Sequence, residues 1–168
     1  MSEQLFCIGG GRTAKEPRLY ENCGLDNIWL MDGYSVIPRD GEDFVDVEDV
    51  EGLHKAIALH LVRHRGTLGG SEIKFIRYAI DLTQPELAHR LGTSAQTVAR
   101  WEKGKVAIPA PEEKLLRFTT VLAVAEPEKF AEIIRAMPVM SDGGNEGPVF
   151  PARFKHDAGW TEAFAEAA

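Results

Sequence analysis

The stretch from Thr83 to Gly104 constrains the fold of this chain most, because its residues predict two short helices joined by a tight turn. Thr83 and Glu86 have the spacing of a capping box, and Pro85 falls in the first helical turn, where a missing N–H costs little. Gly92 permits the sharp turn after this helix. The buried side of the first helix is predicted to consist of Leu87, Ala88 and Leu91.

The second helix of this stretch has an apolar and a polar face. Thr93 and Gln96 predict a second capping box at its start, and Gly104 has the position of a glycine that ends a helix. The apolar face is predicted to comprise Ala95, Val98 and Trp101. The other face groups amide, hydroxyl and cationic side chains at helical spacing, namely Gln96, Thr97, Arg100 and Lys103.

Composition places the chain among globular proteins. Its 168 residues suit about one domain, or one domain plus a small module, and 44% hydrophobic residues can fill a core. The sequence has no apolar run of ~18 residues and no signal-peptide pattern, which predicts a cytoplasmic location. Cys7 and Cys23 form no C-x-x-C pair, so we expect two reduced thiols. The absence of a nucleophile–base motif argues against an enzyme.

The net charge of -7 is unevenly distributed along the chain. Residues 1–66 hold 7 basic and 12 acidic residues, and residues 121–168 hold 4 and 8. Residues 67–120, with 8 basic and 6 acidic residues, form the one positive window, and this window contains the two-helix stretch. A local basic surface is what phosphate contact requires, although ordinary solvated charge is an open alternative.

The first third of the chain predicts a flexible N-terminus, residues 1–19, and a small β module with a linking helix, residues 20–66. Asp-Gly pairs favour tight hairpin turns, and here they separate short apolar stretches. An antiparallel meander is therefore predicted from Ile28 to Met31, Tyr34 to Ile37 and Phe44 to Val47. Asp49 is expected to cap a helix that ends near Arg65 and buries Leu53, Ile57 and Leu61.

The linking helix carries three histidines, His54, His60 and His64. The last two are four residues apart, a spacing at which a helix can hold a metal ion. No third ligand lies at a useful spacing and no cysteine is near, so the sequence predicts no metal site and no cofactor.

Residues 67–138 predict a bundle of about five helices, with the two-helix stretch as its second and third. The first of the five, from about Ser71 to Ile80, is expected to turn its isoleucines inward and Lys74 and Arg77 outward. Later helices begin near Pro111 and Pro127. The predicted fold class is α+β, mostly α, with a small N-terminal antiparallel β meander before a five-helix-type bundle.

Residues 139–168 predict a linker followed by a tail that contains aromatic residues. Ser141 to Pro148 has the composition of a linker. The tail then carries Phe150, Phe154, Trp160 and Phe164, which is more apolar than a disordered end. It either docks on its own chain, which we slightly favour, or binds a partner.

Thr83 to Gly104 resembles the helix-turn-helix of the XRE (Cro/lambda-repressor) family. The resemblance is carried by T-Q-x-E-L-A, R-L-G and T-V-A-R-W-E-x-G at one unbroken spacing. It implies that the second helix, around Ser94 to Lys103, enters the DNA major groove and reads bases with Ala95, Gln96, Thr97 and Arg100. Gln84 matches the phosphate-contacting glutamine of the family. The predicted DNA-contacting residues are thus Gln84, Ser94, Ala95, Gln96, Thr97, Arg100, Lys103 and Lys105.

Residues 20–120 also resemble the MqsA-type antitoxins, through G-L-D-N-I-W-L, a G-Y-x-V strand and a V-x-G-L-H helix. In that family the N-terminal module holds zinc through two C-x-x-C pairs and binds a toxin, while the C-terminal domain dimerises and represses its own operon. Here Cys23 alone stands near the first pair, which predicts a module without zinc.

Two functions follow as hypotheses. The first is a sequence-specific transcriptional regulator, a repressor or autoregulator, that binds an inverted-repeat operator in double-stranded DNA as a homodimer. The alternative is the antitoxin of a type II toxin–antitoxin module, whose N-terminal module or tail neutralises a toxin protein.

Overall fold

The computed structural model describes residues 12–13, 16–137 and 151–163, which form seven strands, six α-helices and two short 3-10 turns. The strands are β1 (Arg12–Thr13), β2 (Arg18–Leu19), β3 (Ile28–Leu30), β4 (Tyr34–Arg39), β5 (Glu42–Val47), β6 (Ala152–His156) and β7 (Trp160–Glu162). The helices are α1 (Val50–His64), α2 (Gly70–Ala79), α3 (Gln84–Leu91), α4 (Ala95–Glu102), α5 (Ala110–Val124) and α6 (Phe130–Ala136). The predicted class, α+β and mostly α, is confirmed.

Several predictions concern residues outside the described ranges. These are the thiol of Cys7, the linker from Ser141 to Pro148, and the aromatic residues Phe150 and Phe164. Within the segment predicted to be flexible, residues 12–13 and 18–19 form short strands. None of the helices in the described ranges is both long and apolar enough to cross a membrane.

One three-stranded sheet has the order β1-β4-β5 and contains the predicted hairpin. β4 and β5 pair in antiparallel fashion from Tyr34 opposite Val47 to Arg39 opposite Glu42. The turn between them is the Asp40-Gly41 pair, in which both residues have positive φ, as tight hairpin turns require. This part of the meander is therefore present as predicted.

The first strand of the predicted meander, β3, belongs instead to a second sheet of order β2-β3-β6-β7. It runs parallel to β6, with Ile28 opposite Ala152. The Asp32-Gly33 pair does not close a hairpin, since β3 and β4 lie in different sheets. The Asp32 carboxylate instead accepts a hydrogen bond from the His156 N–H at 2.5 Å. The Trp160 ring packs so closely on Gly33 that a Cβ atom there would lie 2.7 Å from it. The chain therefore passes between sheets at this point.

The C-terminal residues 151–163 dock on their own chain. Phe154 is fully buried and Trp160 is 8% exposed. Trp160 donates its indole N–H to the carbonyl of Glu48 at 2.8 Å. Of the two possibilities left open for the tail, self-docking describes these residues.

Helix α1 connects the sheets to the helical bundle. Asp49 caps it by accepting a hydrogen bond from the Gly52 N–H at 3.0 Å, as predicted. At its other end, the buried Arg117 of α5 donates to the carbonyls of Val62 and Arg65 at 2.7 and 2.9 Å. Arg117 also pairs with Glu113 at 2.6 Å. A buried, paired guanidinium thus satisfies the carbonyls at the end of α1 and fixes α1 against α5.

Candidate nucleic-acid interface

The first helix of the motif, α3, begins with the predicted capping box. The Glu86 N–H donates to the Thr83 hydroxyl at 3.3 Å, and the Thr83 N–H donates to the Glu86 carboxylate at 2.7 Å. The hydrogen bonds from Thr83 lower the pKa of Glu86, so this carboxylate is charged at neutral pH. The predicted inner residues of α3 are buried, namely Leu87, Ala88 and Leu91.

The second helix, α4, is capped by Ser94, and the prediction of a Thr93–Gln96 capping box is wrong. The Thr97 N–H donates to the Ser94 hydroxyl at 3.1 Å. Thr93 is still part of the end of α3, because its N–H donates to the carbonyl of Ala88 at 2.9 Å around Gly92, which has φ +68. Gln96 therefore has no capping role, and its side chain is exposed.

A buried polar network lies behind α4. It includes Arg77, so the prediction that Arg77 faces outward is wrong. The Arg77 side chain is 6% exposed and donates to Glu102 at 2.5 and 3.1 Å and to the Leu82 carbonyl at 3.0 Å. The hydrogen bond to Glu102 raises the pKa of the Arg77 guanidinium. Gln84 donates its amide to the same carboxylate at 2.8 Å. The network joins α2, α3 and α4 at the base of the motif.

The spacing of charged and apolar residues in the sequence could have indicated this network. Arg77 lies four residues after the buried Ile73, and Glu102 lies four residues after the buried Val98. Both charged residues therefore fall on the inner stripe of their own helix. Opposite charges at inner positions of two packed helices indicate a buried pair, because a lone buried charge is too costly.

The outer face of α4 is polar and exposed. Gln96, Arg100 and Lys103 follow one another at intervals of four and three residues, and all three are exposed. Lys105, just after the helix, is exposed as well. Gly104 has φ +63 and ends the helix as predicted.

Of the other predicted contact residues, Ser94 is exposed and the remaining three are less accessible. Ala95 and Thr97 are half-buried, and the Thr97 hydroxyl lies 2.9 Å from the Ser94 hydroxyl. Gln84 is half-buried at the start of α3, with its amide nitrogen directed to Glu102. Gln96 and Arg100 are thus exposed one turn apart on α4, whereas Gln84 lies in the supporting network.

The geometry is that of two helices, a tight turn and an exposed polar helix face. Residues 73–113, from within α2 to the start of α5, match the family model described as helix-turn-helix. The motif is an XRE-type helix-turn-helix. No curated protein and no solved structure matches the chain. The match covers residues 73–113 alone, and it supports a DNA-binding regulator of the XRE kind. The resemblance of residues 20–120 to MqsA-type antitoxins stays a prediction.

Proposed function

We propose that this protein is a cytoplasmic, sequence-specific transcriptional repressor or autoregulator, and that it inserts α4 into the DNA major groove. The observation that carries the proposal is the exposed pair Gln96 and Arg100 on α4. Behind them, the buried Arg77–Glu102 pair holds α4 in a fixed orientation. A rigid helix with free polar side chains has what base recognition needs.

The side chains of α4 suit defined base edges. The Gln96 amide matches the N6/N7 edge of adenine, and the Arg100 guanidinium matches the O6/N7 edge of guanine. Ala95 and the Thr97 methyl group are candidates for contact with a thymine methyl group. Ala95 and Thr97 are half-buried, whereas Gln96 and Arg100 are exposed. Gln96 and Arg100 are therefore expected to contribute most of the base recognition.

Phosphate contacts are proposed for residues that flank the base-reading pair. Lys103 and Lys105 are exposed at the end of α4, and Ser94 is exposed at its start. At the start of α3, Gln84 uses one amide N–H for Glu102, which leaves its second amide N–H for a phosphate. These contacts position the protein without reading sequence.

A homodimer on an inverted repeat is supported by an apolar row on α5. Leu115, Phe118 and Leu122 lie on one side of the helix, and they are 43%, 41% and 67% exposed. Exposed apolar side chains in a continuous row are typical of an interface between proteins. A dimer would also double the few base pairs that one motif can read.

The test is a comparison of Arg100→Ala with Lys105→Ala in gel shifts on operator and scrambled duplexes. Arg100→Ala is expected to lose about 1–3 kcal/mol of affinity for the operator and to relax the preference at one base pair. Lys105→Ala is expected to weaken binding to both duplexes alike and to reduce the salt dependence. If Arg100→Ala bound every duplex as the parent does, α4 would not be the base-reading helix.

The antitoxin function is the second candidate, and the β4–β5 hairpin favours it. β5 is an edge strand in the described sheet and carries the exposed acidic residues Glu42, Asp43 and Asp46 around Phe44, which is 51% exposed. An acidic edge with an apolar side chain suits a basic partner protein that adds a strand. Co-purification with a small basic protein, lost in Phe44→Asp, would support this function over a stand-alone repressor.

A further inference from the structure

Three potential metal ligands from distant parts of the chain meet beside α1. His60 and His64 stand one turn apart on α1, and Glu162 is the last residue of β7. The Glu162 Oε1 atom lies 3.1 Å from His60 Nδ1, and its Oε2 atom lies 3.2 Å from His64 Nε2. The three groups can thus offer one ligand atom each within 4.8 Å of one another.

The His60 contact lacks the geometry of a hydrogen bond. His60 Nδ1 is buried and makes no hydrogen bond, even though the Glu162 oxygen is 3.1 Å away. The buried nitrogen and the carboxylate oxygen therefore lie close together without a well-aligned hydrogen bond between them. A cation bound to both atoms would satisfy both lone pairs.

The observed separations suit a small tetrahedral ion. Bonds of about 2.0–2.2 Å to nitrogen and oxygen place the ligand atoms of a zinc site about 3.3–3.5 Å apart. The two histidine–glutamate distances, 3.1 and 3.2 Å, end on the two different oxygens of Glu162 and are slightly shorter than this spacing, so a small shift of the side chains would admit the ion. The His64 side chain is 41% exposed, so its ring has room to turn toward the ion, and water can reach a fourth position.

We propose that His60, His64 and Glu162 form a binding site for a divalent transition-metal ion, with Zn²⁺ as the best match. Two imidazoles and one carboxylate are donors that zinc accepts, whereas Mg²⁺ and Ca²⁺ prefer sites made of oxygen alone. Arg63 adds a positive charge near Glu162, and this charge would repel a cation. The Glu162 carboxylate supplies the negative charge that attracts the ion.

A bound ion would tie the C-terminal strands to α1. Glu162 is part of the segment that completes the second sheet, while α1 is held to α5 by Arg117. An ion that binds the docked segment and not the detached one stabilises docking by mass action. The site is therefore a structural link whose occupancy follows the metal concentration, and it does not depend on DNA binding.

The experiment is calorimetric titration of Zn²⁺ into the tag-free, full-length chain after chelator treatment. The parent protein is expected to bind one ion per chain. His64→Ala and Glu162→Gln each remove a ligand and are expected to weaken binding at least about tenfold. His89→Gln, which changes an exposed histidine of α3, is the matched control and is expected to bind as the parent does.

Thermal unfolding gives the second readout. Zn²⁺ is expected to raise the midpoint of the parent and of His89→Gln but not that of Glu162→Gln. If Glu162→Gln did not fold, the exposed His64→Ala would carry the test alone. The proposal is overturned if the parent shows no saturable binding, or if both ligand variants bind like the parent. Binding lost in Cys23→Ser would place the ion at the thiol and would equally overturn it.

Discussion

The helix-turn-helix and the four-stranded sheet β2-β3-β6-β7 are stabilised by contacts of different range. In the motif, the capping bonds join Thr83 to Glu86 and Ser94 to Thr97, residues three apart in the chain. In the sheet, the decisive bonds join residues more than 100 positions apart, such as Asp32 to His156. The caps of the motif are therefore set by neighbouring residues, whereas the pairing of β3 with β6 requires distant segments of the chain to meet.

The largest effect is expected from Phe154→Ala, which tests whether the C-terminal residues 151–163 are part of the core. Phe154 is fully buried, lies opposite Leu30 on β3 and packs edge-on against His60. Phe154→Ala should lower the free energy of unfolding by about 3–5 kcal/mol, because it removes a buried ring and leaves a cavity. Chemical denaturation followed by circular dichroism measures this change.

Phe44→Ala is the matched control for Phe154→Ala. Phe44 is 51% exposed on β5, so its truncation should change the free energy of unfolding by no more than about 0.5 kcal/mol. Folded Phe154→Ala should still bind DNA like the parent, since Phe154 lies outside the motif. Equal effects of the two substitutions would mean that the C-terminal segment adds nothing to the core.

The range of the contacts also explains what the sequence could predict. The two motif helices, the Asp49 cap and the β4–β5 turn depend on residues close in the chain, and these predictions are confirmed. The pairing of β3 with β6 was not predictable, because a parallel strand from the far end of the chain leaves no periodic signal near β3.

The range of the contacts also decides how much of the candidate sites the sequence could predict. Helical spacing predicts which side chains of α4 share its outward face, and the resemblance to the XRE family implies that they read bases. Their individual roles stay a prediction. The sequence offers no third ligand at a useful spacing from His60 and His64, which predicts no metal site. Glu162 reaches them through the docking of β7, which no local spacing could indicate.

The second prediction tests the buried ion pair that joins the motif to α2. Glu102→Gln keeps the shape of the side chain but removes the charge that pairs with the buried Arg77. A hydrogen bond to a charged group contributes about 1.5–3 kcal/mol, so the free energy of unfolding should fall by about that amount. DNA affinity should fall as well, because α4 loses its fixed orientation. Denaturation and gel shifts measure the two effects.

Glu51→Gln provides the comparison for this buried pair. Glu51 pairs with Lys55 at 2.5 Å on the exposed side of α1, where Glu51 is 81% exposed. Exposed pairs of this spacing contribute about 0.3–0.5 kcal/mol, so Glu51→Gln should be nearly silent. A Glu102→Gln effect as small as that of Glu51→Gln would show that the motif needs no support from α2.

The smallest effect is expected at the turn of the motif, where Thr93 and Ser94 carry neighbouring hydroxyls. Ser94 accepts the hydrogen bond from the Thr97 N–H, whereas Thr93 uses its backbone N–H to end α3 and has no capping side chain. Ser94→Ala should therefore lower the free energy of unfolding by about 0.5–2 kcal/mol, and Thr93→Ala should change it by no more than about 0.5 kcal/mol. Thermal denaturation of the two variants side by side measures the difference. The reverse order would restore Thr93 as the cap and would move the start of α4, together with Gln96, by one residue.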